Sequence, residues 1–244
     1  VLAADSGVVE LDGHPVSADD RRRFGYMPEE RGLYPKMKVH EQLVYLARLR
    51  GMRAADAATK ADELIDRLEL TERRDEPIEK LSLGNQQRAQ IAAALVHDPD
   101  VLVLDEPFSG LDPMAVETVL GVLSERATRG VPVLFSSHQL DVVERLCDDI
   151  VVIAEGSIRA AGTRDELREA NAGNQWELQV ADDAAWVRDV PDIDVVEFDG
   201  GYVLFEAEHA AAQAVLQHAA RRGDVHRFAP RRPTLTEIFR EVVQ

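Results

Sequence analysis

Residues 101–104 read VLVL and residues 131–135 read VPVLF, and both runs are apolar at every position. A strand with one wet face alternates apolar and polar residues, whereas a strand covered on both faces is apolar throughout. A helix-length stretch, about Pro113 to Arg129, lies between the two runs, and QLDVVERLCD and IVVIAEG follow the second. Buried strands that alternate with helices imply a parallel sheet covered on both faces, an α/β fold. With 244 residues, 45% of them hydrophobic, the chain can build one large domain, or one domain and a smaller one.

The remaining segments fit around that sheet. Residues 6–16 predict a hairpin, and residues 22–35 a short strand followed by a charged, Gly- and Pro-containing loop. Two helices follow. VHEQLVYLARLRG presents Leu43, Leu46 and Ala47 on one face and stops at Gly51, and ADAATKADELIDRLEL presents Ala61, Leu64, Ile65 and Leu68. A third helix, opened by Asn85 and ended by Asp98-Pro99, carries Ile91, Ala92, Leu95 and Val96. A capping box, Thr163 to Glu166, opens a short helix. Beyond about residue 174 the pattern changes to strands (WELQVAD, DVVEFDGGYVLFEAE and DVHRFAP), with a helix before the last and a capped helix at the end. That texture predicts a small α+β domain.

Charge and cysteine usage narrow the function classes. The formal net charge is −17, which argues against a nucleic-acid surface, because phosphate backbones require clustered Lys and Arg. The single cysteine, Cys147, excludes an internal disulfide and reads as an inert thiol on a helix. No apolar run approaches the ~18 residues of a membrane span, and no signal peptide is visible. The expected location is the cytoplasm, and any membrane crossing falls to another chain.

The chemistry concentrates where VLVL ends, at Asp105 and Glu106. In an open parallel sheet, ligands bind beyond the carboxyl ends of the strands. A carboxylate there can hold Mg²⁺, and a second can orient or deprotonate a water for attack on a phosphoryl group. Taken alone, an apolar run followed by two acids is only moderately specific. Its neighbours add more: LSLGNQQR precedes it, SGLDP follows it, and SSH ends the next strand.

This set, in this order, resembles the ATP-binding cassette (ABC) ATPases. LSLGNQQR resembles their signature motif, VLVLDE their Walker B strand, SGLDP their D-loop, and His138 their switch histidine, while GYMPEERGLYP stands in the place of their Q-loop. The resemblance covers about residues 1–170. It implies a P-loop NTPase-like parallel sheet with a helical subdomain at about 36–97. Residues 175–244 resemble the accessory domain of bacterial drug- and sodium-exporter cassettes.

The implied roles follow residue by residue. Glu106 and His138 are the catalytic pair, and Asp105 and Glu29 serve Mg²⁺. Ser82, Gly84, Asn85, Asp112 and Glu29 contact ATP. Ser82 and Gly84 precede a helix N-terminus, which favours an anion, and in the family this turn meets the ATP of the other subunit. The expected assembly is a homodimer or heterodimer of ATPases on a transmembrane permease, peripheral on the inner face of the membrane.

Three departures stand out. Leu83 and Asn85 replace the usual Gly and Gln of the signature. An acid, Glu29 rather than Glu30, replaces the Q-loop glutamine. No G-x-x-x-x-G-K-[ST] occurs, and none of Lys36, Lys38, Lys60 and Lys80 follows a glycine or precedes Ser or Thr. The chain also opens without Met, and the expectation is a cassette truncated before its hairpin and inactive alone. The alternatives are a non-catalytic cassette that completes the site of an intact subunit, and a non-transport ABC ATPase. Nucleic-acid-acting cassettes are disfavoured by the charge and the absence of a coiled coil or second cassette.

Overall fold

The computed structural model describes residues 5–30 and 32–243. Residues 1–4, Arg31 and Gln244, which the sequence-based domain bounds and the loop after residue 28 include, lie outside the described residues. The chain forms two compact units that divide between Gln139 and Leu140.

The first unit opens with a hairpin of β1 (Glu10–Leu11) and β2 (His14–Pro15) around Asp12-Gly13, both at positive φ as a tight hairpin turn requires. A short helix α1 (Ala18–Arg22) follows, opened by a Ser17–Asp20 capping box; the sequence reading assigns no element to residues 17–21. Next come β3 (Phe24–Met27), α2 (Val39–Leu49), α3 (Ala54–Arg67), α4 (Leu83–Leu95), β4 (Val101–Asp105), α5 (Pro113–Thr128) and β5 (Val133–Ser136).

Strands β3, β4 and β5 form a parallel sheet in that order, with Leu104 opposite Phe135 and Asp105 opposite Ser136. The apolar β4 lies in the middle, with Leu102 and Leu104 buried as its composition requires. On β5, Leu134 is 66% exposed, so this strand, equally apolar in sequence, is not covered on both faces among the described residues. Helices α2, α3 and α4 pack through Leu43, Ala47, Ala61, Leu64, Ile65 and Ile91, all buried. Helix α4 also lies on β3, close to Gly25. A Cβ at Gly25 would stand 2.3 Å from the Ala94 carbonyl oxygen, so this contact admits only glycine.

The second unit contains α6 (Leu140–Leu146), β6 (Asp149–Ala154), β7 (Ser157–Thr163), α7 (Arg164–Ala170), β8 (Gln175–Val180), β9 (Asp194–Asp199), β10 (Tyr202–Glu206), α8 (His209–Arg222), β11 (Val225–Pro230) and α9 (Leu235–Val243). Here the sequence reading needs correction. IVVIAEG pairs with no parallel strand among the described residues. It pairs antiparallel with β7 through a turn at Glu155-Gly156, both at positive φ, and β7 was not anticipated.

Residues 175–243 within this unit combine an antiparallel sheet with helices. The sheet runs β11-β8-β10-β9, and α8 places Ala212, Val215 and Ala219 against Leu178, Val203 and Phe205. The capping boxes at Thr163–Glu166 and Thr234–Glu237 are both formed.

Candidate active site

At the carboxyl ends of β4 and β5 one serine bonds two polar groups. Ser136 Oγ donates to Asp105 Oδ1 at 2.5 Å and accepts the Glu106 backbone N–H at 3.0 Å. One hydroxyl thereby fixes both the carboxylate that ends the strand and the peptide that leaves it. The chain then turns sharply at Glu106, whose φ of +47° lies in the left-handed region that non-glycine residues seldom enter. Glu106 Oε1 lies 3.0 Å from His138 Nδ1, with the glutamate side chain 17% exposed and the imidazole 73%. Glu106 Oε2 is buried and has no hydrogen-bond partner. An unpaired carboxylate oxygen is costly in such a place, and a water or ligand would supply the missing bond.

The signature-like segment forms a second cluster. Ser82, not Asn85, caps α4, its Oγ accepting the Asn85 N–H at 3.3 Å. Asn85 is the third residue of the helix, and its Oδ1 accepts from Arg88 Nη2 at 2.5 Å. The serine wins the cap because its short side chain reaches the third amide of the helix, as at other N-termini. A Cβ on Gly84 would lie 3.3 Å from the Gly110 carbonyl oxygen, so the first turn of α4 and the SGLDP loop approach closely. Asp112 Oδ1 accepts the Ala115 N–H at 2.9 Å and caps α5.

The structure thus brings Asp105, Glu106 and His138 together, and Ser82, Gly84 and Asn85 beside the loop that ends at Asp112. Glu29 and Glu30 are exposed, and among the described residues neither side chain pairs with Asp105 or Glu106. No group of three or more His, Cys, Asp or Glu among the described residues is placed to hold a metal.

Sequence reasoning missed the holders of this geometry. Besides Ser136 these are Gln87, whose Nε2 donates to the carbonyls of Glu106 and Pro107, Gln90, which donates to Pro28 O, and Gln139, which donates to Phe108 O at 3.3 Å. A signal existed for Ser136, the first polar residue after an apolar strand and so at the ligand end of the sheet. Cys147 lies just beyond α6. Burial, with a smaller contribution from Asp148, pushes its thiol up to about 11, which keeps it an unreactive thiol at neutral pH.

Comparison with known proteins decides the family. The ABC transporter family profile matches residues 1–109, and the profile of the DrrA1-3-like ATP-binding protein C-terminal domain matches residues 162–243. An uncharacterised ABC transporter ATP-binding protein of Bacillus subtilis, YhaQ, is 35% identical over 244 residues, all of this chain and 82% of that protein. The chain belongs to the ABC transporter ATP-binding proteins.

Another relative of this ABC ATP-binding protein is the linearmycin resistance ATP-binding protein LnrL of Bacillus subtilis. It is 34% identical over 166 residues, 67% of this chain and 53% of that one. A solved ATP-binding subunit of an ABC transporter superposes with a TM-score of 0.62 at 30% identity, covering 68% of this chain and 70% of the other. Membership makes the chain an ATPase in kind, of a class whose subunits generally dimerise and pair with membrane permeases. No helix among the described residues of this ABC protein is long and apolar enough to cross a membrane.

Proposed function

We propose that Glu106 is the general base of ATP hydrolysis in an exporter-type ABC transporter. The observation that carries this reading is the Glu106–His138 pair at the sheet's ligand end, with Glu106 Oε2 buried and unpartnered. A water bonded to that oxygen attacks the terminal phosphorus in line. Glu106 takes its proton, and ADP departs as the bond to the bridging oxygen breaks. His138, exposed beside Glu106, reaches the γ-phosphate.

Asp105 fits a metal role. Mg²⁺ with a nucleotide needs only one or two protein carboxylates, the phosphates and waters completing the shell. Asp105, and Glu29 from its loop, would hold that Mg²⁺, and the ion would supply charge neutralisation at the phosphate oxygens. Ser82, Gly84 and Asn85 offer the α4 N-terminus to the ATP of a second subunit, and the loop at Asp112 faces that subunit.

The rest of the reading follows the relatives. A permease docks on the outer side of α2, where Tyr34 and Tyr45 meet edge to face and an open groove is lined by Met37, His40, Val44, Tyr45 and Leu49. The assembly is a homodimer or heterodimer on the cytoplasmic face of the membrane, with the cassette over residues 1–170 and the accessory domain over 175–244. Drug-resistance and DrrA-like similarities support export as the direction. The lack of a phosphate loop in these 244 residues favours one other reading, a non-catalytic partner that lends its signature to an intact subunit.

The test is ATP turnover by the transporter purified with its permease, comparing wild type with His138→Ala. Turnover should fall on the order of a hundredfold with ATP binding retained. Unchanged turnover would favour the non-catalytic reading.

A further inference from the structure

Helix α4 carries two buried glutamines one turn apart, Gln87 and Gln90, each 4% exposed. Gln87 Nε2 donates to Glu106 O at 2.9 Å and to Pro107 O at 3.1 Å. Gln90 Nε2 donates to Pro28 O at 2.6 Å and reaches Glu30 O at 3.5 Å. All four partners are backbone carbonyls, which only accept, so the NH₂ group of each amide must face them. A methionine of similar length would bury at lower cost than an amide, so the value of these side chains lies in what they hold.

What they hold is specific. Gln87 grips the two peptides that follow Glu106, the residue at φ +47°. A backbone outlier persists only where its surroundings over-determine it. At Glu106 the determinants include Ser136 Oγ on the N–H and Gln87, beside the Ser109 N–H, on the C=O. Gln90 grips the carbonyls on both sides of Glu29. The same helix begins at the Ser82 cap.

We propose that Gln87 and Gln90 are positioning residues for hydrolysis. Helix α4 presents its N-terminal turn to nucleotide and, further along, pins the Glu106 turn and the Glu29 loop, so a shift of the helix moves all three together. Neither glutamine touches a reacting atom. The proposal rests on Glu106 as base, and its first test is independent of that reading.

Amide hydrogen exchange of the 244-residue chain supplies that test. Ser109 N–H, which donates to Glu106 O at 3.2 Å, is the reporter. In Gln87→Met, the Glu106 and Ser109 amides should exchange about tenfold faster, with the amides of α3 unchanged. Gln87→Glu should restore slow exchange when its carboxyl is protonated, and lose it when ionised, after correction for intrinsic rates. That pH dependence distinguishes a hydrogen bond from packing, and it keeps the test open should Gln87→Met fail to fold. Gln90→Met should leave those amides alone and speed cleavage after Glu29 or Glu30 by a glutamate-specific protease. Uniform acceleration through the first unit, or none at Glu106 and Ser109, would overturn the proposal. If the exchange pattern holds but transporter turnover survives Glu106→Gln, the positioning is not for catalysis and the proposal falls on that count alone.

Discussion

Ser136 shows how much a single hydroxyl does in this protein. It donates to Asp105 and accepts from the Glu106 amide, so its loss leaves one carboxylate oxygen and one backbone N–H without partners. Each is partly shielded from water, and an unmade bond in such a place costs about 1–2 kcal/mol. Ser136→Ala should therefore destabilise the chain by roughly that amount in urea titrations. A change indistinguishable from zero would mean that water replaces the hydroxyl and that the serine does not fix the turn. The acids themselves were legible in the sequence only through their neighbours, LSLGNQQR before them and SGLDP and SSH after them, because an apolar run that ends in two carboxylates is by itself only moderately specific. The residues that aim them were not. Ser136, Gln87 and Gln139 act through hydrogen bonds to groups far away in the chain, which leave no periodicity to read.

Among the elements, α4 and β3 meet at a tight seam. Gly25 on β3 faces the carbonyl of Ala94, with Leu102 Cδ2 and Pro99 Cγ also inside 3 Å of where a Cβ would stand. The obstacles include backbone, which cannot swing away. Gly25→Ala should cost roughly 3 kcal/mol or more, at the upper end of overpacking penalties. A change in the urea midpoint equivalent to under about 0.5 kcal/mol, the range of ordinary surface substitutions, would show that the seam can open. Helix positions were readable from the spacing of Leu43, Leu64, Ile65, Ile91 and Leu95, all buried as expected. The start of α4 was misjudged because Ser82 and Asn85 are both good caps, and only the backbone decides between them. Strand β7 was missed because SIRAAGT has weak strand character and its partner β6 supplies the pairing. The apolar β6 was assigned to the parallel sheet because apolar runs do not declare their partners.

At the scale of the whole molecule, the sequence order of the motifs identified the family, and the fold explains their spacing in the chain. Strand β4 lies between β3 and β5, so a loop after one neighbour and a histidine after the other flank the same two acids. These 244 residues contain no lysine-bearing glycine loop to cradle the β- and γ-phosphates. Purified alone with Mg²⁺ and ATP, the 244-residue chain should release phosphate no faster than its Glu106→Gln variant. The most direct measurement is made where the phosphates are held, in the transporter assembled with its permease. There, Glu106→Gln should reduce ATP turnover by on the order of 10²–10⁴, the usual contribution of a general base, while ATP binding persists. Turnover within about twofold of wild type, well short of that contribution, would contradict Glu106 as the base, and with it the central claim.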